Sequence, residues 1–229
     1  NDCWPVASWS SVEFTGRWKA LHHVARRFFA PCAASAHVPG DEETTIGNYR
    51  RSTVGDVHLH TVCDHPQGGR GVLRWELCHA DGRSLLRGRK AVVLRPGESR
   101  RQRTLRLGRW LRAHGRDHVW LRYALDFEGR RASEDTVFLA PPRFVALPRG
   151  RTEVDVALAA PRRAVLTFRS SVFQHRFSFD LAGWAHRASD NFFELYPDEP
   201  RRVTVELERP ATAAQLRRAL SHRSLVDTY

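Results

Sequence analysis

The chain has no methionine and only two lysines, Lys19 and Lys90, so arginine supplies nearly all of its 37 basic residues. Without an initiator, and with Asn1 set in the middle of a strand-to-helix transition, the sequence is expected to be the carboxy-terminal part of a longer protein. Long apolar runs are also missing. Arginines interrupt the hydrophobic stretches, which excludes a transmembrane helix, and nothing resembles a signal peptide. The four cysteines, Cys3, Cys32, Cys63 and Cys78, include no C-x-x-C pair. That spacing argues against a zinc cluster, and the low cysteine density argues against a disulfide framework. Reduced, structural thiols and a cytoplasmic setting are expected, with a signal peptide left open because the start of the chain is missing. In HLHTVCDH, period-two alternation sends His58 and His60 to one strand face and Cys63 to the other, dividing the ligands a metal would need. No metal and no cofactor is expected.

A formal net charge of +12 suits phosphate-rich partners. The arginines, however, are scattered through strand and turn segments, no basic tail stands apart, and no nucleic-acid motif interleaves the aromatics. Nucleic-acid and membrane partners are not expected. Among the tryptophans, Trp75 shares an apolar parity with Leu73 and Leu77, and Trp120 lies between Val119 and Leu121, so these and Trp110 are expected to be packing residues.

What is present begins with a helix. Trp18, Leu21, Ala25 and Phe28 recur at steps of three and four, which predicts an amphipathic helix starting near Gly16, capped by Thr15 and stopped by Pro31. Before it lies a polar, aromatic tip holding Asn1, Asp2, Trp4 and Pro5. Residues 32–45 are small and polar and read as a connector. Short alternating segments follow: Val57–Cys63, Val72–Cys78 and a hairpin turn at Asp81-Gly82, then further strands to Leu139. Pro141-Pro142 marks a second boundary, and beyond it Thr152–Leu158, Ala164–Phe168, Phe173–Leu181, Asn191–Tyr196 and Arg202–Leu207 alternate again. Val154, Val156 and Leu158 are expected inward, and Thr212 with Gln215 forms a capping box for a short helix. The terminal SLVDTY is expected to return as an edge strand.

The run NDCWPVASWSSVEFTGRWKALHHVARRFFAP resembles the end of the catalytic barrel of beta-mannosidases in glycoside hydrolase family 2. In that family an N-D-x-W-P tip follows the eighth strand and a G-R-W-K-A-L-H helix closes the barrel. NFFELYPDEPRRVTVEL is similar to the family's final domain. The resemblance implies a mainly β chain: two immunoglobulin-like β-sandwiches preceded by the last loop and helix of a truncated (β/α)8 barrel. The expected divisions are 1–34 for the barrel remnant, 35–143 for the first sandwich and 144–229 for the second with its short helix.

By the same resemblance, the parent is a retaining exo-beta-mannosidase acting on terminal non-reducing beta-D-mannose in oligosaccharides or glycoconjugates. Its two catalytic glutamates lie upstream in the barrel of the same chain, so this stretch holds no catalytic residue and is expected to be inactive alone. Trp4 is expected to contact the mannose, with Asp2 and Asn1 hydrogen-bonding the sugar or neighbouring barrel loops. The alternatives are another family 2 exo-glycosidase (glucosaminidase, galactosidase or glucuronidase) or a non-catalytic sandwich module that binds polysaccharide or polyanion.

Overall fold

The computed structural model describes residues 2–4, 9–41, 47–197 and 199–228. Helix α1 (Ala20–Phe28) comes first, and the chain divides into two compact units, residues 27–147 and residues 1–26 with 148–229. Among the described residues no helix is long and apolar enough to cross a membrane.

The unit 27–147 contains β1 (Cys32–His37), β2 (Asp56–Cys63), β3 (Gly69–His79), β4 (Ser84–Leu94), β5 (Glu98–Arg106), helix α2 (Gly108–His114), β6 (Val119–Phe127) and β7 (Arg130–Phe138). They form two antiparallel sheets, ordered β1-β2-β5 and β4-β3-β6-β7. Alternation does the sorting: Val57, Leu59, Thr61 and Cys63 of β2 are buried, as are Leu73, Trp75 and Leu77 of β3, and these join Leu105, Leu121 and Leu125 in one core. Trp75 lies opposite Gly88 on β4, and a Cβ at Gly88 would stand 2.3 Å from the indole, so the glycine leaves room for the ring on the pleat. Trp120 is buried and Trp110 is packed against the core, so all three tryptophans of this unit are packing residues.

Sequence reading missed β1. Its residues CAASAH are too small to show a hydrophobic period, yet they pair in register with β2 from Cys32↔Cys63 to His37↔His58. The expected connector over 32–45 therefore begins as a strand, and its residues 42–46 lie outside the described residues.

Asp117 ties the loops of this unit together. Its carboxylate accepts from the Tyr49 hydroxyl and the Arg50 guanidinium, each at 3.2 Å, and lies 3.0 Å from His118 Nδ1. Burial alone would raise the pKa of Asp117, but the bonds from His118, its own backbone N–H and Tyr49 hold it below the ordinary value. At Asp126, burial is likewise outweighed by Arg74 and Arg131, again to a lowered pKa. A lowered carboxylate pKa contributes stability that is fully present above the unfolded value, about 3.9, and is lost as pH falls through the folded value. The unit is thus expected to keep a constant thermal midpoint down to about pH 5 and to lose stability below about pH 4. Asp117→Asn is expected to cost about 1–3 kcal/mol at neutral pH and to flatten that acid slope; an unchanged slope in a thermal pH series would contradict the assignment.

The second unit holds β8 (Thr152–Ala160), β9 (Arg163–Ser170), β10 (Gln174–Leu181), β11 (His186–Ala188), β12 (Phe193–Leu195), β13 (Arg201–Leu207), α3 (Ala213–Ala219) and β14 (Leu220–Arg223). Its sheets are ordered β11-β13-β9-β8 and β12-β10-β14. Phe168, Phe177, Phe193, Leu166, Leu195, Val203 and Leu216 fill the core. The capping box at α3 is complete: Thr212 Oγ1 accepts from Gln215 N–H, and Gln215 Oε1 accepts from Thr212 N–H.

Two expectations are corrected in this unit. Leu158 is exposed, because β8 is an edge strand whose pairing with β9 shifts register after that residue. Residues 225–228 form a 3-10 turn rather than an edge strand, and the strand that joins β10 is the preceding β14.

Candidate functional site

The amino-terminal segment is held by a small hairpin. Val12 and Trp18 form an antiparallel bridge, Glu13 N–H donates to Arg17 O at 2.8 Å, and Gly16 closes the turn at φ +84. That left-handed φ is why a glycine stands there. The chain then enters α1, where the N–H groups of His22 and His23 bond to the carbonyl of Lys19. The helix therefore starts at Ala20, and the cap expected at Thr15 is corrected: residues 12–18 are spent on the hairpin.

Asp2 is 7% exposed and fastened at both ends. Its N–H donates to Val12 O at 3.0 Å, Ser10 Oγ donates to Oδ1 at 2.7 Å, and Lys19 Nζ pairs with Oδ2 at 2.7 Å. A carboxylate removed from water is costly unless charge-assisted bonds of this kind replace its hydration. Next to this anchor, Cys3 is exposed and Trp4 keeps 66% of its surface open. The structure thus sets Asp2 beneath the tip and Trp4 upon it. Asn1 and Pro5 lie outside the described residues. Trp18 packs against His22 and His23, with ring centroids 4.4 and 5.4 Å away. Trp9 is 100% exposed within this chain.

Lys19→Ala would leave the buried Asp2 carboxylate without its cation, a local loss of about 1–3 kcal/mol. The Asp2, Gly16 and Lys19 amides are expected to exchange with deuterium about tenfold faster in that variant; unchanged exchange would remove the anchoring role.

The second unit supports this segment. Arg17 pairs with Asp180 of β10 at 3.1 Å, and the ring of His23, the buried residue of α1, lies tilted beside Phe192 with centroids 6.0 Å apart. Between them lies a cleft of about 210 Å³ lined by Trp18, Lys19, His23, His186, Asn191 and Phe192. The apolar side chains of α1 are less well covered. Leu21 is 52% exposed and Phe28 56%.

A polar cluster inside the second unit was only half legible. His175, within the strand expected over Phe173–Leu181, is 9% exposed, and its partner Glu194 was missed. Glu194 lies 3.0 Å from His175 Nδ1 and 3.3 Å from an Arg176 guanidinium nitrogen. The bulge between Gln174 and Phe177, with Arg176 at φ +50, brings both bases to one carboxylate. A glutamate inside the apolar run NFFELY was the available signal. The group is an anchor between β10 and β12: the carboxylate, 5% exposed, has little surface left for a ligand.

Residues 55–143 match the Mannosidase Ig/CBM-like domain family, and residues 157–228 match the mannosidase Ig-fold domain. A goat (Capra hircus) protein named beta-mannosidase is 64% identical over 31 residues, 14% of this chain and 4% of its own length. Beta-mannosidase A of Aspergillus niger is 47% identical over 77 residues, 33% of this chain and 7% of its own. Among solved structures, a beta-D-mannosidase from Dictyoglomus thermophilum superposes with TM-score 0.78 at 17% identity, over 98% of this chain and 25% of that one. An exo-chitosanase from Amycolatopsis orientalis superposes with TM-score 0.59 at 9% identity, over 94% and 28%. These likenesses show the fold, and the chain spans about a quarter of the length of either structure. Two mannosidase sandwich domains in tandem, together with the sequence relatives, lead to one conclusion: the chain carries the Mannosidase Ig/CBM-like domain and the mannosidase Ig-fold domain, and is similar to the carboxy-terminal portion of the beta-mannosidases of glycoside hydrolase family 2.

Proposed function

We propose that the chain is the carboxy-terminal part of a retaining exo-beta-mannosidase that removes terminal non-reducing beta-D-mannose from oligosaccharides or glycoconjugates. In this reading residues 1–34 close the catalytic barrel, and residues 35–143 and 144–229 are the sandwiches that follow it. The observation that carries the proposal is where apolar surface is left open. Among the described residues eight large hydrophobic side chains are exposed, and six of them, Trp4, Trp9, Phe14, Leu21, Phe28 and Phe29, lie in the first 29 positions. Such crowding marks a surface that needs a partner. A barrel earlier in the same chain is the partner that fits, because the segment resembles a barrel's last loop and helix.

A retaining glycosidase works with two carboxyl groups about 5–5.5 Å apart, one as nucleophile and one as acid and base. The tip supplies no such pair, since the Asp2 carboxylate is engaged by Lys19 and Ser10. Its contribution is a wall of the sugar site. The Trp4 ring offers an apolar platform to the C–H face of mannose, and Asp2 and Asn1 are the polar residues proposed to hydrogen-bond the sugar or neighbouring barrel loops, Asp2 chiefly by fixing the loop that carries the ring. Sugar identity follows the sequence relatives, because the fold is shared with an exo-chitosanase.

The test is to join the upstream barrel and assay a panel of aryl glycosides. Release from the beta-mannoside by the longer protein, and none by the isolated chain, is expected. Preference for a glucosaminide, galactoside or glucuronide would overturn the sugar assignment, and hydrolysis by the isolated chain would overturn the whole reading.

A further inference from the structure

Cys32 opens β1 and Cys63 ends β2, and the antiparallel register places them directly opposite. The preceding pair, Pro31 and Asp64, is of the hydrogen-bonded kind, because Asp64 N–H donates to Pro31 O at 2.6 Å. Pair types alternate along an antiparallel ladder. Cys32 and Cys63 are therefore a non-hydrogen-bonded pair, the kind whose Cα atoms come within about 4.5 Å and whose side chains stand closest. That spacing lies inside the disulfide range of about 4.4–6.8 Å. The two Sγ atoms are 3.5 Å apart, so bonding requires them to close by about 1.5 Å through side-chain rotation, with the backbone already in place.

We propose that Cys32 and Cys63 are a covalent modification site, a cross-strand disulfide that closes under a thiol–disulfide oxidant such as glutathione disulfide. One cysteine thiolate attacks the oxidant and releases one glutathione; the other thiolate then displaces the second glutathione, forming the S–S bond. The protein gives up two protons and two electrons, and glutathione disulfide is reduced to two thiols. Sequence spacing hides the pair, since 30 residues separate the cysteines and only the register of β1 on β2 brings them together.

The surroundings explain when the bond forms. Both side chains are buried, and burial followed by the neighbouring Cys63 pushes the Cys32 thiol up to about 11. Cys32 thiolate is scarce at neutral pH, so attack by Cys32 is slow there and faster in alkali. The bond is favoured in an oxidising compartment and stays open in a reducing one. Once formed, it pins β1, an edge strand, to its neighbour, and removes freedom from the unfolded chain.

The experiment equilibrates the full chain in glutathione buffers of graded redox ratio, blocks free thiols under denaturing conditions and maps peptides without reduction. A peptide joining Cys32 to Cys63 is expected, with a thermal midpoint raised by roughly 5–10 °C and restored by a reductant. Cys63→Ser, or Cys32→Ala as a second variant, is expected to abolish the linked peptide. Complete alkylation of both cysteines at every ratio, or separate glutathione adducts on each, would overturn the proposal.

Discussion

In the protein that carries its upstream barrel, Trp4→Ala is expected to lower kcat/KM for an aryl beta-D-mannoside by about ten- to a hundredfold, with the thermal midpoint almost unchanged. Each tenfold step corresponds to about 1.4 kcal/mol of lost transition-state stabilisation. The two parts of this expectation have separate causes. Trp4 leaves 66% of its surface open in this chain, so removing the ring costs the sandwiches no packing. Its neighbour Asp2 remains anchored to Lys19, Ser10 and Val12, so the loop keeps its place when the ring is gone. Trp4→Phe retains an apolar face and is expected to recover part of the rate. Wild-type turnover in the alanine variant would remove Trp4 from the sugar site.

The largest stability effect is expected at Glu194. Alanine there would leave His175 and Arg176 around an empty position, and breaking a buried ion pair by deleting one partner costs about 3–5 kcal/mol. For a chain of this size that is roughly 10 °C in thermal midpoint. Glu194→Gln keeps the side-chain volume and an acceptor for a hydrogen bond, and is expected to lose less. The contact is local to β10 and β12, so the unit 27–147 is expected to melt as before. A midpoint shift below about 2 °C for Glu194→Ala would show that the carboxylate does not fasten those strands.

Much of the architecture was legible wherever one side of a strand is apolar. Val57 to Cys63 and Val72 to Cys78 alternate, and each turned its apolar parity inward. Asp81-Gly82 gave the hairpin between β3 and β4, with Gly82 at φ +89. The capping box at Thr212 was readable because both of its partners lie within four residues. Features set by distant pairing were not readable. β1 is a strand because β2 offers it an edge, and its own residues carry no period. Leu158 lost its inward position to a register shift. At the tip, residue types marked Asp2 and Trp4, but the hairpin that folds Lys19 back onto Asp2 has no signature apart from Gly16. Glu194 shows the converse: a charged residue within an apolar run signals a buried partner, and the bulge at Arg176 decides which one.

Hydroxyl-radical footprinting of the isolated chain beside the protein with its upstream barrel addresses the central assignment most directly. In the isolated chain Trp4, Trp9, Phe28 and Phe29 are 66%, 100%, 56% and 79% exposed and are expected to oxidise readily. With the barrel present, Phe28 and Phe29 are expected to be protected, while Trp4 stays reactive until a mannose-like inhibitor is added and then falls several-fold. Equal oxidation of all four residues in both proteins, with no response of Trp4 to the inhibitor, would contradict a segment that completes a barrel and lines its sugar site.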